Sequence, residues 1–363
     1  MIRDYETIII GAGVVGNSIA YHLSERSRED ILVLDKNFPL SGTSGSTQAW
    51  VWVHNKNPSW YAEFSMYSAE LYPFLSKKIG DVEYKRTGGL SPFFNESDRE
   101  KAEKLAEAYR GIGIKIKVLT REEVLEKEPH LNPAVAGATY SKIDGNVNPS
   151  RLVDRLMRAA KNQGVEYSYY TTVSGVDKKN DMYLLESNKG TFRCKKLILA
   201  SGTWSREVGK MLGINIPINQ LRGQILVTEP LKPFLNYTIS GIRQANNGEV
   251  LIGYSMENSG FDRSTTLDVI QETANLAQHY VPAIKKAKVV RAFSGIRAMP
   301  EDGFPILGEI PGNENLYVAA THSGVTLSPL IGTLITELIL DRETSIPIDR
   351  FSIQRFDSLK KTV

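Results

Sequence analysis

Thr7-Ile8-Ile9-Ile10-Gly11-Ala12-Gly13-Val14-Val15-Gly16, running on through Asn17 to Leu23 and then to Ile31-Leu32-Val33-Leu34-Asp35, decides the fold of this chain. A β-branched run, a tight glycine turn, a helical pattern, a second apolar run and a terminal acid make one βαβ unit that binds a dinucleotide. Gly11 allows the sharp turn out of the first strand, Gly13 lets backbone N–H groups approach a pyrophosphate, and Gly16 lets the helix pack close to the strand. Val14 and Val15 open that helix, whose N-terminal N–H groups and dipole favour phosphate. Asp35 stands about 20 residues past the glycines, placed to accept from a ribose hydroxyl. A carboxylate there repels a 2′-phosphate, which disfavours NADP.

With 363 residues the chain has room for about two domains and a substantial core. A formal charge of +3 is too small to indicate a nucleic-acid partner. Cys194 is the only cysteine, which excludes an internal disulfide or a cysteine metal cluster and suits a reducing cytoplasm. The apolar run around Ile8 is glycine-broken and preceded by Asp4 and Glu6, unlike a secretory leader. Pro329 and Glu337 interrupt the run Val325 to Leu340, so no integral membrane segment is expected.

The loop after the ribose acid, Ser41-Gly42-Thr43-Ser44-Gly45-Ser46-Thr47-Gln48-Ala49, is small and polar, suited to wrapping a pyrophosphate and what lies beyond it. Trp50-Val51-Trp52-Val53-His54 alternates, with aromatics on one face; it reads either as a packed strand or as one wall of an active site. Ser59 begins a helix striped by Trp60, Phe64, Tyr67 and Leu71, and Ser97-x-x-Glu100 and Thr120-x-x-Glu123 look like capping boxes. Val165 to Val173 alternates as a strand, and Lys196 to Ala200 is a buried strand ending in the turn Ser201-Gly202. Between Leu221 and Ser294 the pattern changes to antiparallel strands around one helix. The last strand, Leu316 to Ala320, ends in Thr321-His322-Ser323-Gly324, a second helix N-terminus facing the cofactor.

In unbroken order, the glycine fingerprint with Asp35, Gly42 to Thr47, Leu197 to Ser205, Leu221-Arg222-Gly223-Gln224, Gly295-Ile296-Arg297, Asp302 to Gly308 and Thr321 to Gly324 resemble the D-amino-acid oxidase superfamily of FAD enzymes. Glycine oxidase, sarcosine oxidase and the FAD subunits of hydroxyproline dehydrogenase and hydrogen cyanide synthase belong there. The resemblance implies an α/β chain: a Rossmann-type FAD-binding domain from residues 1–80, 142–214 and 296–363. Residues 81–141 and 215–295 would form an α+β substrate domain on a largely antiparallel sheet. It further implies that Gly13 and Val14 face the pyrophosphate, that Asp35 and Lys36 face the ribose, and that Val173 meets adenine. Thr43, Ser44, Gln48, Ala49 and Trp50 would line the flavin side, and His322, Ser323, Gly324, Val325, Thr326 and Leu327 would cover the pyrimidine end. Arg297 matches the arginine that grips a substrate carboxylate. Near the positions where some members attach flavin covalently stand Ala298-Met299 and Gln48-Ala49, which implies noncovalent FAD.

The implied reaction is oxidation of the C–N bond of a small amino acid or an N-alkyl or cyclic amino acid. Hydride passes to flavin N5 and leaves an imine that water hydrolyses; positioning and desolvation need no obligatory side-chain base. His54 and Tyr254 join Arg297 as candidate polar residues of the pocket. The partners implied are a small-molecule substrate, with a homo-oligomer or a heteromeric dehydrogenase complex around it. Competing readings are a flavin monooxygenase, an FAD-containing electron-transfer subunit and an NAD-dependent dehydrogenase, the last distinguished by a purified protein without flavin colour.

Overall fold

The computed structural model describes residues 2–359. The opening stretch folds as read: strand Ile2–Ile10, helix Val14–Arg26 and strand Ile31–Leu34, with the two strands parallel and Ile8 level with Leu32. Four-residue burial in Ile31–Leu34 and in the end of the first strand explains the unbroken aliphatic runs, since both faces are covered. Strand Gly190–Leu199 lies parallel on the other side of the first strand, followed by Leu316–Ala320. The turns that leave these strands carry Gly11, Ser201-Gly202 and Thr321–Ser323, so three chain segments far apart in sequence converge at one sheet edge.

Among the described residues this eight-stranded sheet is accompanied by a nine-stranded one. Its strands come from Gly89–Phe93, Ile116–Thr120 and Gly137–Ser141 and from the region Ile218–Thr228 to Val289–Pro300, and they pair antiparallel except for a short parallel contact between Thr238–Ile239 and Gly89-Leu90. The chain is therefore a mixed α/β protein whose second sheet is largely antiparallel. Val289–Pro300 runs in register against Ile218–Thr228 through to the pair Ile218–Pro300, crossing the boundary expected between 295 and 296. Arg297 consequently stands on the second sheet, aimed toward the first.

Several local readings need correction. The helix expected to be capped by Ser97 begins at Glu96, with the Asn95 side chain accepting from Asp98 N, because Asn95 reaches an unsatisfied N–H two residues earlier in the chain. Thr120 and Glu123 do form the reciprocal capping box. The stretch 165–173 is not one strand: Glu166–Ser168 ends at a turn where Tyr170 has φ +51°, and a new strand begins at Val173.

Helix Gly324–Asp341 is the one described helix long and apolar enough to cross a bilayer. It is instead packed against Val14–Arg26 and Ser59–Ile79, burying Leu327, Leu330, Ile331, Leu334 and Ile335. The contact is tight at Gly332, where a Cβ would lie 2.3 Å from Ser18 Oγ and 2.9 Å from Ser18 O; the same hydroxyl donates to Ser328 O at 2.7 Å. Gly332→Val should separate these two helices and lower the denaturant midpoint, costing about 1–3 kcal/mol by overpacking. Equilibrium unfolding of the flavin-loaded protein checks this, with an unchanged midpoint excluding it.

Candidate active site

The converging turns open into a cavity of about 710 Å³ that runs from Asp35 and Lys36 at one end to Tyr254, Met256 and Asn55 at the other. The end at Asp35 is lined by the opening βαβ unit. Gly11 has φ +115°, and a Cβ there would sit 2.4 Å from Ala200 O, so only glycine permits this turn against the neighbouring strand. Gly13 caps the helix without a side-chain hydrogen bond, and Val14 N donates to Ser44 Oγ at 3.0 Å. Asp35 accepts from Ala12 N at 2.8 Å and Asn37 N at 2.9 Å, which fixes its carboxylate at the strand end. Lys36 lays its ammonium 3.6 Å above the Trp204 ring centroid. Val173 and Gly202 line the same end.

The loop 41–47 bridges the two sheets. Thr43 Oγ1 donates to Ile296 O at 2.6 Å, Arg263 donates to Ser41 O and Ser46 Oγ, and a Cβ on Gly295 would meet Ser46 O at 2.5 Å. Gln48 Nε2 then donates to Gly241 O at 2.8 Å. The Trp50, Trp52 and His54 rings follow one another with centroids 5.0 and 5.3 Å apart, the first pair tilted and the second stacked, as the alternating pattern suggests. Thr326 ties this run to the last helix, accepting from Trp52 N at 3.1 Å and donating to Trp50 O at 3.0 Å.

At the far end, Arg297 Nη1 donates to Ser255 O at 2.7 Å. Gly223 makes room for the guanidinium: a Cβ there would lie 2.5 Å from both Nη1 and Nη2. Among the described residues no carboxylate forms an ion pair with Arg297, whereas neighbouring Arg222 is held by Glu257 at 2.7 Å and Asp262 at 2.6 Å. Burial lowers the Arg297 pKa and the charge of Glu257 opposes that shift. Tyr254 lines the cavity with a buried hydroxyl that has no partner, and burial pushes its pKa far up, so it is a neutral donor. Its ring lies against Gly241 at φ +79°, where a Cβ would approach within 2.1 Å.

Three candidates fall outside the cavity lining. His54 is fully buried behind Trp52, with Nε2 2.5 Å from Thr139 Oγ1 and Nδ1 3.4 Å from Asp144 Oδ2; although it shares the alternating face of Trp50 and Trp52, these contacts hold it in the core, outside the cavity lining. Gly16 supports the turn from below, since a Cβ there would lie 1.9 Å from Gly11 O. Leu327 is fully buried one turn into the last helix. Ala49, Gly324, Val325 and Thr326 do line the cavity, beside His322 and Ser323. Burial first, then the charges of Lys56 and Arg297, hold the His322 pKa down to about 3, so its ring is neutral near pH 7 and a poor base.

Lys56 lines the cavity and donates to Ser323 Oγ at 2.6 Å. It went unnoticed in the sequence because Asn55-Lys56-Asn57 carries no motif.

FAD suits what is here. The glycine backbones and helix N-terminus suit a pyrophosphate, Asp35 a ribose, and the unpartnered buried Trp50 Nε1 and Tyr254 hydroxyl a polar ring system and its substrate. These features define an FAD-dependent oxidoreductase. Residues 6–338 match the DAO family model, described as FAD dependent oxidoreductase, and the chain belongs to that family. It is 30% identical to glycine oxidase of Geobacillus kaustophilus over 370 residues, covering 98% of each chain. The crystal structure of glycine oxidase from that organism superposes with a TM-score of 0.93 at 29% identity, over 97% of this chain and 99% of the other. Hydrogen cyanide synthase subunit HcnC of Pseudomonas protegens is 28% identical over 98% of this chain and 97% of its own. L-proline dehydrogenase from P. horikoshii superposes with a TM-score of 0.92 at 26% identity, covering 99% of both.

Asp35→Ala should weaken FAD retention about tenfold or more, because it removes an acceptor suited to a ribose hydroxyl and frees the turn at Ala12. The flavin-to-protein absorbance ratio after gel filtration measures this, and an unchanged ratio would count against the assignment.

Proposed function

We propose that the protein oxidises the C–N bond of a small amino acid or an N-substituted or cyclic amino acid, releasing an imine to water. The observation that carries this reading is the Arg297 guanidinium, facing the cavity without an acid partner. A planar, permanently charged fork suits a carboxylate. Bound FAD supplies the two-electron acceptor. Arg297 fixes the carboxylate, and the Tyr254 hydroxyl donates a second hydrogen bond to it. Trp50 and Trp52 line the cavity and would exclude water from it, and Gln48 fastens the Ser240-Gly241 turn that also lines it. His322, with its depressed pKa, takes no proton near pH 7; the substrate amine loses its own to solvent before oxidation.

In this reading Gly13, Val14 and Ser44 hold the pyrophosphate, Asp35 and Lys36 the ribose, and Val173 the adenine. The flavin is held noncovalently: Ala298-Met299 and Gln48-Ala49 stand near the attachment positions, and the sole thiol, Cys194, is packed in the core, away from the cavity. Apart from Arg297 and the Gln48–Trp52 stretch, which face the substrate, segments 1–80, 142–214 and 296–363 serve the cofactor, and 81–141 with 215–295 serve the substrate. Likeness to glycine oxidase and L-proline dehydrogenase supports the substrate class, and likeness to one subunit of hydrogen cyanide synthase supports a place in a heteromeric dehydrogenase.

Anaerobic addition of glycine, sarcosine, proline analogues and D- and L-amino acids should bleach the bound flavin for at least one of them. Arg297→Ala should raise the half-saturating concentration of the best substrate by about 10- to 100-fold while FAD content is retained. Gly223→Ala should act in the same direction through displacement of the guanidinium. An unchanged half-saturation in Arg297→Ala rejects the carboxylate role.

A further inference from the structure

Lys56 is a second cation at the substrate end of the cavity. Its ammonium donates to Ser323 Oγ at 2.6 Å and lies 5.2 Å from the Tyr61 ring centroid; among the described residues no carboxylate stands within ion-pair distance. Asp144, the nearest acid to act on it, is engaged with Val53 N at 2.7 Å and faces His54. Lys56 and Arg297 line the same cavity as His322, and the charge of each reaches its ring. The acids that line the cavity, Asp35 and Glu207, lie beside Lys36 at the opposite end. Two half-buried cations thus line one cavity, and among the described residues neither forms an ion pair, Asp144 and Glu257 acting on them only from beyond that distance. A partly desolvated cation without a paired carboxylate favours an incoming anion.

The neighbours of Lys56 place it on the substrate side. Adjacent Asn55 donates to Ser91 Oγ at 3.2 Å, and Ser91 bonds Ser240 Oγ at 2.9 Å, beside the Gly241 turn that faces Tyr254. Building on the functional reading above, in which Arg297 takes the α-carboxylate, we propose that Lys56 binds a second carboxylate of the substrate. The preferred substrates are then amino acids whose nitrogen substituent or side chain ends in an anionic group. The two cations grip the two ends and leave the C–N bond between them.

Iminodiacetate and sarcosine share a skeleton and differ by one carboxylate, so they isolate the contribution of Lys56. Flavin absorbance of the anaerobic holoenzyme gives the half-saturation of each, by reduction or, for a probe that is not oxidised, by the spectral shift on binding. The wild-type protein should favour iminodiacetate by about 10- to 100-fold. Lys56→Met should abolish that preference, and Lys56→Arg should keep most of it. In the wild-type protein the preference should also fall as pH rises through about 8, where burial, opposed by Asp144, brings the Lys56 ammonium to neutrality. The other groups around it do not follow this profile: His322 titrates at about 3, Tyr61 at about 12, and Arg297 stays charged. Equal half-saturation for both probes in the wild type, or a Lys56→Met protein that loses both probes alike, overturns the proposal. If Arg297→Ala leaves both probes unaffected, the functional reading itself fails; if it weakens both while the wild type shows no preference, only the role of Lys56 falls.

Discussion

Everything at the cavity depends on how closely the first helix is allowed to approach the first turn. With a Cβ on Gly16 only 1.9 Å from the Gly11 carbonyl and one on Gly11 2.4 Å from the Ala200 carbonyl, three backbone segments touch with nothing between them. That contact points the N-terminus of Val14–Arg26 into the cavity and brings Ser201-Gly202 beside it. The Asp35 carboxylate then locks the arrangement by accepting from Ala12 N and Asn37 N. Because the last helix packs on the first at Gly332, this one close approach also sets where His322, Ser323 and Gly324 stand. A dinucleotide-sized groove follows from missing side chains more than from present ones.

The parts of the molecule governed by local rules could be read from the chain. The glycine spacing, the buried aliphatic runs and the acid at a strand end each impose geometry within about 30 residues, and the βαβ unit appears as read. The residue order that resembles an FAD enzyme family carried the rest, including Arg297. What could not be read was governed by contacts across the fold. His54 belongs to the same alternating face as Trp50 and Trp52, yet Thr139 and Asp144 from the second sheet's side hold it in the core. Lys56 shows the converse: its position depends on the Tyr109 hydroxyl, which donates to its carbonyl, and on Ser323 from the far end of the chain. Neither partner is near it in sequence, so no periodicity could place its ammonium.

Arg222 and Arg297 show how burial and pairing divide one residue type between architecture and recognition. They are one pair apart on neighbouring antiparallel strands, Leu221 opposite Arg297 and Arg222 opposite Ile296, so the pleat sends their side chains to opposite faces. On the outer face Arg222 meets Glu257, Asp262 and Ser264 and is consumed by them, fastening the 255–264 loop to the sheet. On the inner face Arg297 finds backbone carbonyl oxygens alone, and Gly223 beside it leaves the space its head group needs. A guanidinium satisfied in part by carbonyls keeps its full charge and its remaining N–H groups for whatever enters the cavity. The sheet thus supplies a fixed positive fork at low cost in flexibility: the strand sets its direction, the carbonyls set its plane, and a missing side chain gives it room. Among the described residues no carboxylate comes within ion-pair distance of it, and the charge of Glu257 reaches it only from farther off.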